Sequence, residues 1–193
     1  MVMKIGHVSR PYRGVGECGD RYGYWTTQRR FVLALADGLG HGPEAAEAAI
    51  AAMQCIAARL DDSCEELFAA CDARLRATRG AAMTLALIDR ASRQMTLAAV
   101  GNTRALWLNR RGDMRLGGTR GIVGAGYGHL APETVTLTPG DVLVLFSDGL
   151  DEFPSLRDVL DRAELNVQQH AEAILERWGR LDDDAAVLIY QHE

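Results

Sequence analysis

The chain has 193 residues, 48% hydrophobic and 24% charged, which suits a globular protein with one domain and a single core. Its formal net charge of −5 argues against a nucleic-acid-binding protein, because phosphate backbones bind basic surfaces. No apolar run reaches the roughly 20 residues of a membrane span, and the N-terminus lacks the apolar centre of a secretory signal. We therefore expect a cytoplasmic protein with one domain over residues 1–193 and with no nucleic-acid or membrane partner.

The first half of the chain combines three predicted strands with two predicted helices. The strands are expected at 5–10, 22–27 and 31–36. A helix follows Gly42, with small apolar residues at helical spacing. A second helix begins at a capping box formed by Ser63 and Glu66 and ends before Gly80.

The second half is dominated by strand patterns. These strands are expected at 82–89, 94–100, 104–109, 133–137, 142–146 and 185–190. A glycine-rich stretch at 117–128 lies among them, and helical patterns return at 155–162 and 168–178. This order predicts an α+β fold in which helices cover the outer faces of a mostly antiparallel β core. It argues against a doubly wound parallel sheet, in which strands and helices alternate.

Two of the most apolar strands lead directly into an Asp-Gly dipeptide, at Asp37-Gly38 and at Asp148-Gly149. Asp20 and the acidic run 182–184 also border predicted strands. A single Asp-Gly pair is usually a turn, but the repeated placement of aspartates at strand ends predicts a common site. Oxygen ligands of this kind suit magnesium or manganese rather than zinc. Two such ions sharing one aspartate could activate water against a phosphate ester.

At these positions the chain resembles the metal-dependent PPM-type serine/threonine phosphatases. Within them it is most similar to the small bacterial SpoIIE-like branch and its stressosome phosphatase. The matching segments appear in the family's order and span nearly the whole chain. They are Glu17-Cys18-Gly19-Asp20, the run from Leu35 to Gly42, Arg79-Gly80-Ala81, Val100-Gly101-Asn102, the run from Phe146 to Leu150, and Asp183-Asp184.

The resemblance implies an αββα four-layer sandwich, in which two antiparallel sheets are flanked by helices. It also implies a metal-dependent protein serine/threonine phosphatase with two Mn²⁺ or Mg²⁺ ions, manganese being preferred. Water held between the ions would be the nucleophile, without a covalent phosphoenzyme. The implied substrates are phosphorylated STAS-domain proteins of a stressosome-type complex.

The same resemblance implies the roles of individual residues. Asp37 would bridge both ions, and the carbonyl group of Gly38 would complete one coordination shell. Asp148 and Asp183 would hold the second ion, and Asp20 would contribute directly or through water. Asp37 and Asp148 are thus the expected catalytic residues. The choice among residues 182–184 stays open, with Asp183 preferred for its distance from the strand.

Some features depart from the family's pattern or allow a second interpretation. Ala186 stands where the family often has threonine or serine, which leaves open a pseudophosphatase that binds a phosphorylated partner without turnover. His41 could donate a proton to the leaving group, although a solvated loop histidine is the simpler interpretation. Asn102 could lie near the site or only form a hairpin turn. The stretch 117–128 fits a flexible flap better than a phosphate-binding loop, and no arginine can be assigned to the substrate phosphate.

Overall fold

The computed structural model describes residues 3–151, 156–162 and 164–193. They form two antiparallel five-stranded sheets and one small two-stranded sheet. The first sheet consists, in spatial order, of β1 (Lys4–Arg10), β12 (Ala185–Gln191), β11 (Val142–Phe146), β6 (Arg104–Asn109) and β7 (Gly112–Leu116). The second consists of β10 (Glu133–Thr136), β5 (Gln94–Val100), β4 (Ala81–Asp89), β3 (Arg30–Gly38) and β2 (Asp20–Thr26). The small sheet pairs β8 (Gly121–Ile122) with β9 (Gly126–Tyr127).

Helices cover the outer face of each large sheet. Helices α1 (Pro43–Ala57) and α2 (Cys64–Leu75) pack on the second sheet, and the capping box predicted for α2 is present. Helices α3 (Arg157–Leu160) and α4 (Val167–Trp178) pack on the first sheet. The resulting αββα sandwich confirms the expected fold. None of the described helices is both long and apolar enough to cross a membrane.

Strand β3 is apolar along its length because both of its faces are buried. Phe31, Leu33 and Leu35 lie in the core between the two sheets. Val32 and Ala34 lie in a second core, beneath α1 and α2. Strand β11 is buried in the same way, between the inter-sheet core and the layer of α3 and α4. Both strands therefore hold the residues that follow them in a rigid frame.

The structure differs from the predicted elements in three places. The sequence analysis did not predict β7, because this edge strand is largely exposed and lacks an apolar alternation. The stretch 117–128 contains the paired strands β8 and β9 rather than only a flexible flap. The helix predicted at 155–162 is limited to α3 within the described residues, and its first predicted position, Ser155, lies outside them.

Candidate metal centre

Strands from both sheets bring aspartates to one end of the sandwich. The register of β2 and β3 sets Asp20 directly opposite Asp37. Strand β11 ends two residues before Asp148, which lines one cavity together with Asp37 and whose charge adds to the effect of burial in raising the pKa of Asp37. Asp183 precedes β12 and lines the same cavity as Asp37 and Asp148. The structure thus brings together the four predicted ligand side chains, while their role as ligands stays a prediction.

Two glycines allow the backbone to approach closely at this site. A Cβ atom at Gly38 would lie 2.0 Å from the carbonyl oxygen of Ala45, in the first turns of α1. A Cβ atom at Gly149 would lie 1.8 Å from the carbonyl oxygen of Asp184. The glycine after each aspartate is therefore required by packing.

Ser147 links the carboxylate cluster to both sheets. Its buried hydroxyl group donates a hydrogen bond to Asp20 Oδ2 at 2.5 Å and accepts one from the backbone N–H of Ala186 at 2.9 Å. The side chain of Ala186 points instead into the inter-sheet core. The family often has a threonine or serine at position 186, where this chain has alanine. In this chain the hydroxyl group of Ser147, just after β11, forms a hydrogen bond with Asp20 instead. In the sequence, Ser147 stands out only as part of the run from Phe146 to Leu150.

The three acidic residues before β12 occupy three different environments. Asp182 is exposed and forms an ion pair with Arg180 at 3.1 Å. Asp183 is partly exposed at the cavity. Asp184 is buried, and its Oδ1 accepts a hydrogen bond from the backbone N–H of Tyr12 at 2.8 Å. Its Oδ2 is buried without a hydrogen-bond partner.

The electrostatics of the cluster disfavour its fully ionised form. Burial raises the pKa of Asp37, and the charges of Asp20 and Asp148 raise it further. Burial also raises the pKa of Asp20 against the opposing effect of the Ser147 hydrogen bond, and Asp184 adds to the rise. Burial and Asp148 raise the pKa of Asp183. The cluster therefore repels itself unless protons or cations neutralise it.

The donor set fits a hard divalent cation. None of the ion pairs between described residues involves a carboxylate of the cluster, and buried Asp184 Oδ2 has no donor. Within the same described ranges, no three His, Cys, Asp or Glu side chains already enclose a point suited to a metal ion. Binding of a divalent cation would therefore require the aspartate carboxylates, which repel one another, to move closer together around the ion. Carboxylate and carbonyl oxygens are the ligands that magnesium and manganese prefer.

The cluster opens into a cavity of about 480 Å³. Asn102 lines it and donates a hydrogen bond to Asp148 Oδ2 at 2.5 Å, so this residue does more than form a turn. His41 lines it and stacks on Tyr12, with ring centroids 4.6 Å apart. Arg120 also lines it, from the stretch 117–128, and the sequence analysis did not find this arginine. A larger cavity of about 700 Å³ lies at the opposite end of β11 and has none of the clustered aspartates.

Comparisons with known proteins agree with this fold. The family described as "Stage II sporulation protein E (SpoIIE)" matches residues 27–193. Phosphoserine phosphatase RsbX of Bacillus subtilis (strain 168) is 26% identical over 156 residues, which are 78% of this chain and 76% of that protein.

Two solved structures have the same fold over nearly the whole chain. One, described as "The bacterial stressosome: a modular system that has been adapted to control secondary messenger signaling", contains a chain that is 32% identical. It superposes with a TM-score of 0.93 over 99% of this chain and 100% of the other. A crystal structure of RsbX in complex with magnesium is 21% identical, with a TM-score of 0.85 over 98% of this chain and 99% of the other. The chain therefore belongs to the SpoIIE family of PPM-type phosphatase domains.

Proposed function

We propose that residues 1–193 form a single phosphatase domain that hydrolyses phosphoserine and phosphothreonine in proteins with the help of two Mn²⁺ or Mg²⁺ ions. The observation that carries this proposal is the group of self-repelling carboxylates gathered from both sheets beside an open cavity. Such a group is costly to keep for stability alone, and divalent cations would relieve its repulsion. The kinship to a phosphoserine phosphatase supports the reaction class.

The residues divide the work of holding the ions and the substrate. Asp37 would contact both ions, Gly38 would offer its carbonyl oxygen to one of them, and Asp148 and Asp183 would hold the second ion. Asp20, fixed by Ser147, would contribute directly or through water. When bound, the ions would supply Lewis-acid activation of water and neutralise charge on the phosphate. Asn102 fixes the carboxylate of Asp148, and the cavity leaves room for the phosphorylated side chain.

The proposed substrates are phosphorylated STAS-domain proteins of a stressosome-type complex, in the cytoplasm. Two findings support this choice. The chain is similar to RsbX, and it is 32% identical to a chain of the solved structure whose description names the bacterial stressosome. A pseudophosphatase that only binds such a partner is the alternative outcome. The hydroxyl group of Ser147 weakens the case for it, because it offers at Asp20 the support that Ala186 lacks.

The proposal is tested by measuring phosphate release from a phosphoserine peptide and from p-nitrophenyl phosphate. We expect activity that disappears with EDTA and returns when manganese or magnesium is added in excess. Phosphorylated STAS-domain protein should be hydrolysed with a higher kcat/KM than the peptide. Tight metal binding with no turnover of any of the three substrates would contradict the hydrolase and favour the binding module.

A further inference from the structure

The segment 117–128, which we call the flap segment, is tied to the second sheet on both sides of the cavity. The backbone N–H of Thr119 donates to the carbonyl oxygen of Ala99 at 3.0 Å, and the N–H of Gly101 donates to that of Thr119 at 2.9 Å. Further along, Ala81 and Val123 exchange two backbone hydrogen bonds of 3.0 Å. The flap segment therefore has a fixed path across the ends of β4 and β5.

Glycines at the crossing points set this path close to the aspartates. Gly101 has a φ of +90°, and a Cβ atom there would lie 2.5 Å from Ala82 Cβ and 3.3 Å from the carbonyl oxygen of Gly121. Gly121 has a φ of +129°, and its Cβ would lie 2.3 Å from Tyr127 Cα. Neither close approach would be possible with a larger residue. The backbone of residue 120 is thus held between Thr119, which is hydrogen-bonded to β5 and Gly101, and the closely packed Gly121.

Arg120 is the residue between them, and its carbonyl oxygen accepts a hydrogen bond from Gly128 N–H at 2.9 Å. Its exposed side chain lines the cavity together with Asp37, Asp148 and Asp183. It forms no hydrogen bond or ion pair with another side chain among the described residues. Its guanidinium group is also the only one among the described residues lining that cavity. Two other arginines near the site are already engaged, Arg79 with Glu44 at 3.3 Å and Arg180 with Asp182.

We propose that Arg120 binds the phosphoryl group of the substrate and holds it over the carboxylate cluster. This inference rests on the proposed function and assigns the substrate-binding residue that the sequence left unknown. A phosphate dianion above a cluster neutralised by divalent ions still presents oxygens toward the cavity. A guanidinium group offers a planar set of donors that matches two of those oxygens. Because the flap segment is anchored at both ends, little backbone entropy is lost when Arg120 engages the ligand.

The test compares wild type with Arg120→Ala, Arg120→Lys and the control Arg111→Ala, which removes an equal charge from an exposed site lining the larger cavity. Binding of radiolabelled inorganic phosphate is measured by equilibrium dialysis in saturating Mg²⁺, and metal affinity is measured separately. We expect Arg120→Ala to weaken phosphate binding about 10- to 100-fold, with partial recovery in Arg120→Lys. Metal affinity and the unfolding temperature should stay at wild-type values, and Arg111→Ala should behave as wild type throughout.

Turnover of a phosphoserine peptide separates this inference from the proposed function. A wild type that hydrolyses the peptide while Arg120→Ala keeps its KM and its phosphate affinity would overturn the role of Arg120 alone. A wild type without turnover whose phosphate binding still depends on Arg120 would support the inference and overturn the hydrolase. A wild type that binds no phosphate in saturating Mg²⁺ would overturn the role of Arg120 as well.

Discussion

Strand β11 begins beside one aspartate and ends beside another, and the two have opposite surroundings. Asp141, at the start, is buried and accepts hydrogen bonds from the Thr138 backbone N–H and hydroxyl group, both at 2.9 Å, and from Trp107 Nε1 at 3.2 Å. Asp148, at the end, accepts one from Asn102 and otherwise faces the carboxylates of Asp37 and Asp183. At one end of the strand, the carboxylate of Asp141 is surrounded by hydrogen-bond donors. At the other end, the carboxylate of Asp148 lies among other negatively charged side chains.

The difference separates a structural carboxylate from a functional one. Hydrogen-bond donors offset the free-energy cost of burying Asp141 and fix the turn that leads into β11. Within the described ranges, Asp148 and Asp20 each accept one side-chain hydrogen bond, from Asn102 and Ser147, so the charge of the aspartates at this end must be balanced by protons or by cations. Burial alone therefore does not identify a site in this chain; the lack of donors does.

The largest expected effect comes from Asp37→Asn. Removing the charge of the residue proposed to contact both ions should lower kcat/KM for a phosphoserine peptide by roughly 1,000-fold or more. The fold should be kept, because the amide is isosteric and relieves repulsion with Asp20 and Asp148. Phosphate release and circular dichroism provide the two measurements. Turnover close to wild type would refute the assignment of Asp37.

Ser147→Ala should have the next largest effect. It removes the hydroxyl group that orients Asp20 and accepts the N–H of Ala186. Loss of such an outer hydrogen bond commonly weakens metal binding about 10- to 100-fold, and we expect that range for Mn²⁺ measured by titration calorimetry.

A matched control for Ser147→Ala is Thr84→Val, which removes another buried hydroxyl group. Thr84 shares a 2.9 Å hydrogen bond with Thr103, and its side chain forms no hydrogen bond with the aspartates of the cluster in the part of the chain that the structure describes. It should cost stability but leave Mn²⁺ affinity unchanged. Equal losses of affinity in both variants would mean that Ser147 acts only through general stability.

Much of the cluster could be predicted because it follows from strand ends. Asp37 lies at the end of β3 and Asp148 shortly after β11, both strands being buried on both faces, and antiparallel pairing then sets Asp20 beside Asp37. The roles expected for them stay predictions. The family relationship and the sandwich, by contrast, were confirmed.

Other parts of the site could not be read from the sequence, for physical reasons. Arg120 lies in a glycine-rich stretch without periodicity, and its position depends on contacts with β4 and β5 that are remote in sequence. The sequence also gives no sign that Asp182 pairs with Arg180 or that Asp184 accepts a hydrogen bond from Tyr12, and the choice of Asp183 as the ligand stays a prediction. Strand β7 was missed because an exposed edge strand needs no apolar face.

Asp141→Asn tests the structural side of the comparison. The amide can keep its oxygen toward the Thr138 N–H and Trp107 Nε1 and can donate to the Thr138 hydroxyl group, but it loses the negative charge that strengthens these hydrogen bonds. We expect the free energy of unfolding to fall by about 1–3 kcal/mol in urea denaturation, with the activity of the folded protein unchanged. A loss of kcat in the fully folded variant would contradict the assignment of a purely structural role to Asp141.

The smallest expected effect is the pH dependence of the metal-free protein. The pKa of Asp20 is raised to about 7 and that of Asp37 to about 9, so the folded state holds protons that the unfolded state has released. A raised folded-state pKa adds stability that is complete below the unfolded pKa, near 4, and is lost as the pH rises through the folded value.

The unfolding temperature in EDTA should therefore fall between pH 6 and pH 9. Saturating Mn²⁺ should remove this fall, because the ions replace the protons, and Mn²⁺ affinity should rise over the same range. Asp37→Asn, which cannot ionise, should show a shallower decline in EDTA than wild type. Equal slopes in the two proteins would mean that the stability lost at high pH comes from outside the cluster. The clustered carboxylates would then be stable without protons or cations, and they would not differ in this respect from Asp141.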